Sequence, residues 1–193
     1  MIVFNLIILR LRGNIGVAAY GVVANLSLVV NSIYTGMAQG IQPILSRLCG
    51  CGDEKGIKRI LHYAVNTILV LSGCIYLLLL VAGVPIVRIF NSEQNALLQQ
   101  IALTGLRLYF TAIPFVGFNI MISAYFTSTE KALPAQVISL LRGFFVILPM
   151  AFLLSFLFKM TGVWLSYPVT ECLTVITAIA FTVKIRYNKR YKS

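Results

Sequence analysis

Gly13–Ser46, GNIGVAAYGVVANLSLVVNSIYTGMAQGIQPILS, runs for 34 residues without an Asp, Glu, Lys or Arg. A helix needs about 20 mostly apolar residues to cross a bilayer core of about 30 Å, so this stretch places the chain in lipid. Four further runs repeat the pattern: 60–87 broken only by His62, 108–129 uncharged, 132–158 with Arg142 alone, and 160–183 with Glu171 alone. Called spans A to E in chain order, the five runs predict a polytopic helical bundle. The short alternating segments of an outer-membrane barrel are absent.

Composition agrees. Of 193 residues, 59% are hydrophobic and 11% charged, and the mean hydropathy is +0.91. Soluble domains carry roughly 25% charged residues, which excludes a water-soluble globule. The net charge of +11 does not mark nucleic-acid binding, because the basic residues lie between the runs and at the C-terminal end, not on one soluble face. Met1 to Leu9 is apolar but short, and Arg10 and Arg12 follow it. A signal peptide puts its positive charge first, so this segment reads as the end of a further span, and the chain as a fragment or a late start. The expected fold is an all-α membrane protein of five full transmembrane helices plus a partial N-terminal one. It forms a single transmembrane domain over 1–193, with a basic tail at 184–193.

If all five spans cross, one side of the membrane carries Arg47, Lys55, Lys58, Arg59, Lys131 and the basic tail, and the other carries Arg10, Arg12, Arg88, Arg107 and Lys159. This bias predicts a cytoplasmic C-terminus in a multi-pass bacterial inner-membrane protein. Cys49 and Cys51 then fall in a reducing compartment, and Cys-Gly-Cys without a second ligand pair is a poor zinc signal. Span B is expected to end near Gly83-Val84-Pro85, with 86–100 forming an interfacial turn and a lead-in to span C.

Polar groups in hydrocarbon are costly, so their placement carries the functional signal. In span A, Asn25, Ser32, Thr35, Gln39 and Gln42 fall on one helical face. They are candidates either for a helix–helix interface or for the wall of a water-filled substrate cavity, with Asn119 and Tyr125 of span C beside them. Glu171 and Arg142 lie at similar depths in adjacent antiparallel spans. They are expected to form a buried ion pair, direct or water-bridged, with a structural or a cation- or proton-coupling role. Mid-span Pro114, Pro149 and Pro168 mark kinks of the kind alternating access uses. No catalytic set, phosphate loop or carboxylate pair points to an enzyme, and no catalytic, metal or cofactor residues are expected.

Gly36–Ser46, GMAQGIQPILS, with the basic loop after it, Ala124–Lys131 (AYFTSTEK), Ser139-Leu-Leu-Arg142 and Gly162–Glu171 (GVWLSYPVTE) together resemble the multidrug and toxic compound extrusion (MATE) family, in order over about residues 2 to 185. The resemblance implies twelve helices in two halves around a central cavity, and exchange of Na⁺ or H⁺ for amphiphilic, often cationic compounds. This chain then matches the C-terminal half: part of a seventh helix, followed by helices eight to twelve. Its partners would be membrane lipid, amphiphilic or cationic small molecules, and the N-terminal half or a second copy. The acid that some members carry on the tenth helix has no counterpart here, which leaves Glu171 as the carboxylate candidate. The competing readings are a lipid-linked oligosaccharide flippase of the same superfamily and a non-transporting membrane fragment.

Overall fold

The computed structural model describes residues 2–190. They form α1 (Ile2–Gly50), α2 (Glu54–Phe90), α3 (Ala96–Tyr109), α4 (Ile113–Ser128), α5 (Ala132–Leu140) and α6 (Ile147–Arg190). A 3₁₀ turn, Phe110–Ala112, joins α3 to α4, and a π turn, Leu141–Phe145, lies between α5 and α6. No strand occurs among the described residues. Four helical stretches (2–50, 54–90, 96–128 and 132–185) are long and apolar enough to cross a membrane. The tail expected from residue 184 starts inside the last turns of α6, while Met1 and 191–193 lie outside the described residues.

Two of the long helices are not straight. Gly13 (φ 63°, ψ −158°) and Lys159 (φ 54°, ψ −129°) leave helical geometry for the region that opens a type II′ turn. At both points the chain doubles back. The rings of Phe4 and Tyr20 stack with centroids 5.7 Å apart, although a straight helix would hold residues 16 apart at about 24 Å. Arg142 and Glu171, 29 residues apart, likewise meet at 3.0 Å. Glycine suits the first reversal because it adopts positive φ without a steric penalty. At the second, Gly162 presses on the Leu154 carbonyl, and a Cβ there would overlap it.

The remaining turns are capped locally. Asp53 accepts from the Gly56 amide at 2.9 Å, and Asn95 accepts from the amides of Leu97 and Leu98. Span B outruns its sequence reading: α2 continues through Pro85 to Phe90. A proline inside a helix removes its own hydrogen bond, and here the fully buried Val87 holds the last turns against the bundle. The turn is therefore confined to residues 91–95, where Asn91 bonds the Asn95 backbone through both ends of its amide.

α4 sits at the centre, touching α1, α2, α5 and α6. Around it Ile8, Val23, Tyr34, Ile68, Leu106, Val116, Met121 and Trp164 form the main core, and Ile122, Phe126, Ala135, Ile138 and Ala178 form a smaller one. The outside is greasy: Phe156 is 86% and Val81 83% exposed, with many leucines and isoleucines beside them. An apolar exterior over a tightly packed apolar core is what a lipid solvent permits.

Candidate functional site

Glu171 of α6 is 1% exposed, and each of its carboxylate oxygens is served from a different helix. Oε1 accepts from Arg142 Nε at 3.1 Å and from its terminal NH₂ at 3.0 Å. Oε2 accepts from Asn119 Nδ2 at 2.7 Å, and the same amide nitrogen donates to the Glu171 backbone carbonyl at 3.0 Å. Only donors surround the carboxylate, and Arg142 supplies the charge that makes its burial tolerable.

The backbone explains the meeting. Asn119 projects from the middle of α4, the most enclosed helix, and is fully buried. Arg142 is carried by the π turn, whose wider spiral interrupts the α-helical register where the guanidinium must reach α6. The reversal at Lys159 then brings Glu171 back alongside. Arg142 is less enclosed than its partner, at 19% exposure for its side chain.

The pair extends into a polar chain toward α1. The Tyr167 hydroxyl, one turn before Glu171, is reached by the side chains of Arg142 and Asn31. Asn31 donates to Ser27 Oγ at 3.3 Å, and Ser27 lies 3.3 Å from the Tyr109 hydroxyl. Tyr109 and Tyr167 stack with ring centroids 4.4 Å apart. Ser27, Asn31, Tyr109 and Tyr167 line a narrow cleft of about 10 Å³, room for one water.

The sequence candidates thus separate into two places. Asn119, Arg142 and Glu171 come together inside the bundle. Asn25, Ser32, Thr35 and Gln39 are exposed and Gln42 is half-buried, so the stripe of span A lies on an open face. On the same helix Ser27, Tyr34, Ala38 and Leu45 turn inward, and the Tyr34 hydroxyl meets Ser72 Oγ of α2 at 2.6 Å. Tyr125 joins neither group; it packs on Phe126 with the Lys131 ammonium 5.5 Å from its ring centre. Sequence reasoning missed Ser27, Asn31, Tyr109 and Tyr167. The available signal was a second, shorter polar row in span A, Ser27 and Asn31 at i, i+4. Among the described residues no three His, Cys, Asp or Glu side chains gather, so a cation entering the site would meet a single carboxylate.

The chain is similar in sequence and fold to known proteins. The multidrug export protein MepA of Staphylococcus saprophyticus is 23% identical over 174 residues, covering 90% of this chain and 38% of that protein. The FAD transporter of Shewanella oneidensis is 23% identical over 173 residues, covering 88% and 37%. The chain thus spans under two-fifths of the length of these curated relatives. Among solved structures, an inward-facing MATE multidrug transporter of the MOP superfamily superposes with a TM-score of 0.90 at 14% identity, over 99% of this chain and 44% of that one. An outward-facing MATE multidrug transporter of the same superfamily gives 0.89 at 15% identity, over 100% and 43%. The sequence pattern of the MatE family matches residues 1–153, and with the shared fold this shows that the chain belongs to the MatE family.

Proposed function

We propose that this chain is one lobe of a secondary transporter that exports amphiphilic or cationic drugs across a bacterial inner membrane in exchange for H⁺ or Na⁺. The observation that carries the reading is Glu171: a buried carboxylate, compensated by a single arginine, within a lobe that has a polar open face. A coupling cation that enters competes with Arg142 for Glu171. Arg142 has a partly exposed side chain and can turn toward the open face, so cation occupancy is linked to the charge presented there. Asn25, Ser32, Thr35, Gln39 and Gln42 then line the substrate route, and the other lobe or a second copy supplies the opposite wall.

Five full crossings, with 2–12 as a partial one, fit the reversals at Gly13 and Lys159, and put the C-terminus in the cytoplasm under the basic-loop bias. The equal likeness to inward- and outward-facing relatives supports a lobe that rocks as one body, while substrate access changes at its open face. The multidrug export and FAD-transport names of the relatives support a small-molecule cargo.

The test is ethidium efflux from cells under imposed pH and Na⁺ gradients. Glu171→Gln should express in the membrane at normal levels and lose gradient-driven efflux. Normal efflux by that variant removes Glu171 from coupling, and absence of efflux by the wild type under every gradient rejects transport by this chain.

A further inference from the structure

Among the described residues three buried side-chain oxygens have no hydrogen-bond partner, all on α4: Asn119 Oδ1 beside Glu171, Ser123 Oγ one turn on, and Ser128 Oγ at the helix end. Most other buried hydroxyls bond their own helix. Ser166 donates to Val163, Thr170 to Ser166, Thr174 to Thr170 and Ser72 to Ile68, all at 2.6 to 2.9 Å. A buried polar atom without a partner costs about 1–3 kcal/mol, so two one turn apart on the helix that holds Glu171 call for an explanation.

Protonating Glu171 exposes the purpose they serve. Both carboxylate oxygens face donors only, so an added proton has no acceptor unless a partner changes. Arg142 cannot become an acceptor, since guanidinium nitrogens only donate. Asn119 can, because turning its amide over exchanges Nδ2 for Oδ1. We propose that Asn119 is a positioning residue whose amide turns over when Glu171 takes up a proton on Oε2, with Ser123 Oγ accepting the displaced Nδ2. In that second state Oε2–H donates to Asn119 Oδ1, and Oε1, now the acid carbonyl, still accepts from Arg142. The Glu171 backbone carbonyl, 3.0 Å from Nδ2 at rest, then faces Oδ1 instead, a repulsion that holds the amide in its resting orientation until Oε2 carries a proton. Asn119 Oδ1 and Ser123 Oγ both gain partners in that state, once the Ser123 hydroxyl, which bonds nothing at rest, turns to face the new Nδ2 position.

The titratable groups that face Glu171 are Arg142 from the π turn, Tyr109 from α3 and Tyr167 from α6 itself. α1 contributes Asn31, a neutral amide; α2 meets α4 through Ile68; and α5 carries no titratable residue. The proton's arrival is therefore sensed first by one rotatable amide, and Arg142, which then faces a neutral carboxyl, is no longer held by an ion pair and is free to turn away.

This inference rests on Glu171 as the coupling carboxylate, and infrared difference spectroscopy separates the two. The full chain is reconstituted in lipid vesicles with its asparagine side-chain amides isotopically labelled, and spectra are taken across a pH titration. In the wild type the protonated-carboxyl band of Glu171 should rise together with a shift of one labelled amide band, and both should vanish in Glu171→Gln. Ser123→Ala, a mild change, should move the midpoint of that carboxyl band toward acid by about half to one pH unit. A carboxyl band that titrates with no amide change overturns the switch and leaves coupling intact. No Glu171 carboxyl band at any pH overturns both. A Ser123→Ala midpoint equal to the wild type's overturns the pairing of the turned amide with Ser123.

Discussion

Removing one partner of the Arg142–Glu171 pair should cost more on one side than on the other. Arg142→Met strands a carboxylate that is 1% exposed, whereas Glu171→Gln strands a guanidinium with 19% of its side chain exposed. Breaking a buried pair so that a charge stays enclosed costs about 3–5 kcal/mol. Asn119 still donates to Oε2 in Arg142→Met, which favours the lower half of that range, about 3 kcal/mol. In Glu171→Gln the glutamine keeps an oxygen for Arg142, and the guanidinium can turn toward the open face, so about 1 to 2 kcal/mol is expected. Replacing both with methionine removes the charge problem and should return stability to within about 1 kcal/mol of the wild type, or above it. Denaturant unfolding in mild detergent, followed by tryptophan fluorescence, reads this order, because Trp164 lies in the core beside α3. If Arg142→Met is no worse than Glu171→Gln, then the enclosed charge is not what the pair neutralises.

Three further outcomes follow from the geometry. A Cβ at Gly105 would sit 2.8 Å from the Trp164 ring, so Gly105→Leu should wedge α3 from α6 and cost about 2 to 3 kcal/mol in the same unfolding assay. Lys159 holds φ 54° without being a glycine, so Lys159→Gly should raise the melting temperature by relieving about 1 kcal/mol of backbone strain, while Gly13→Ala should lower it by a similar amount. With Cys49, Cys51, Cys74 and Cys172 replaced, single cysteines at Thr35 and Gln39 should react with a small polar maleimide, and one at Ala38, 4% exposed, should not. Equal labelling at all three positions would mean that α1 does not present the polar stripe on its open side.

The fold was largely written in charge spacing. Long runs with at most one charge each marked where helices lie, and the reversals fell at Gly13, where the first run begins, and at Lys159, between the last two. The acid and the base each sat about ten residues inside their runs, which made a shared depth readable. The length of α2 was not readable in this way, because Pro85 reads as a stop and the burial of Val87, a tertiary contact, overrides it. The inner polar chain was hidden for a different reason. Helix α1 has three faces: one packed, one polar and open, and one apolar and exposed through Val29, Ile33 and Ile44. Counting polar residues by helical period finds the polar open face, and only packing reveals that Ser27 and Asn31 belong to another. The π turn at Arg142 has no comparable sequence mark, since one extra residue per turn changes neither hydropathy nor composition.

Ion movement driven by drug provides the most direct test of Glu171 as the coupling carboxylate. Vesicles prepared from membranes of cells expressing the chain would carry an imposed ethidium gradient, with internal pH and Na⁺ followed by fluorescent indicators. The account predicts counterflow of H⁺ or Na⁺ in the wild type and none in Glu171→Gln, with equal protein in both membranes. Counterflow of the same rate in Glu171→Gln would contradict it.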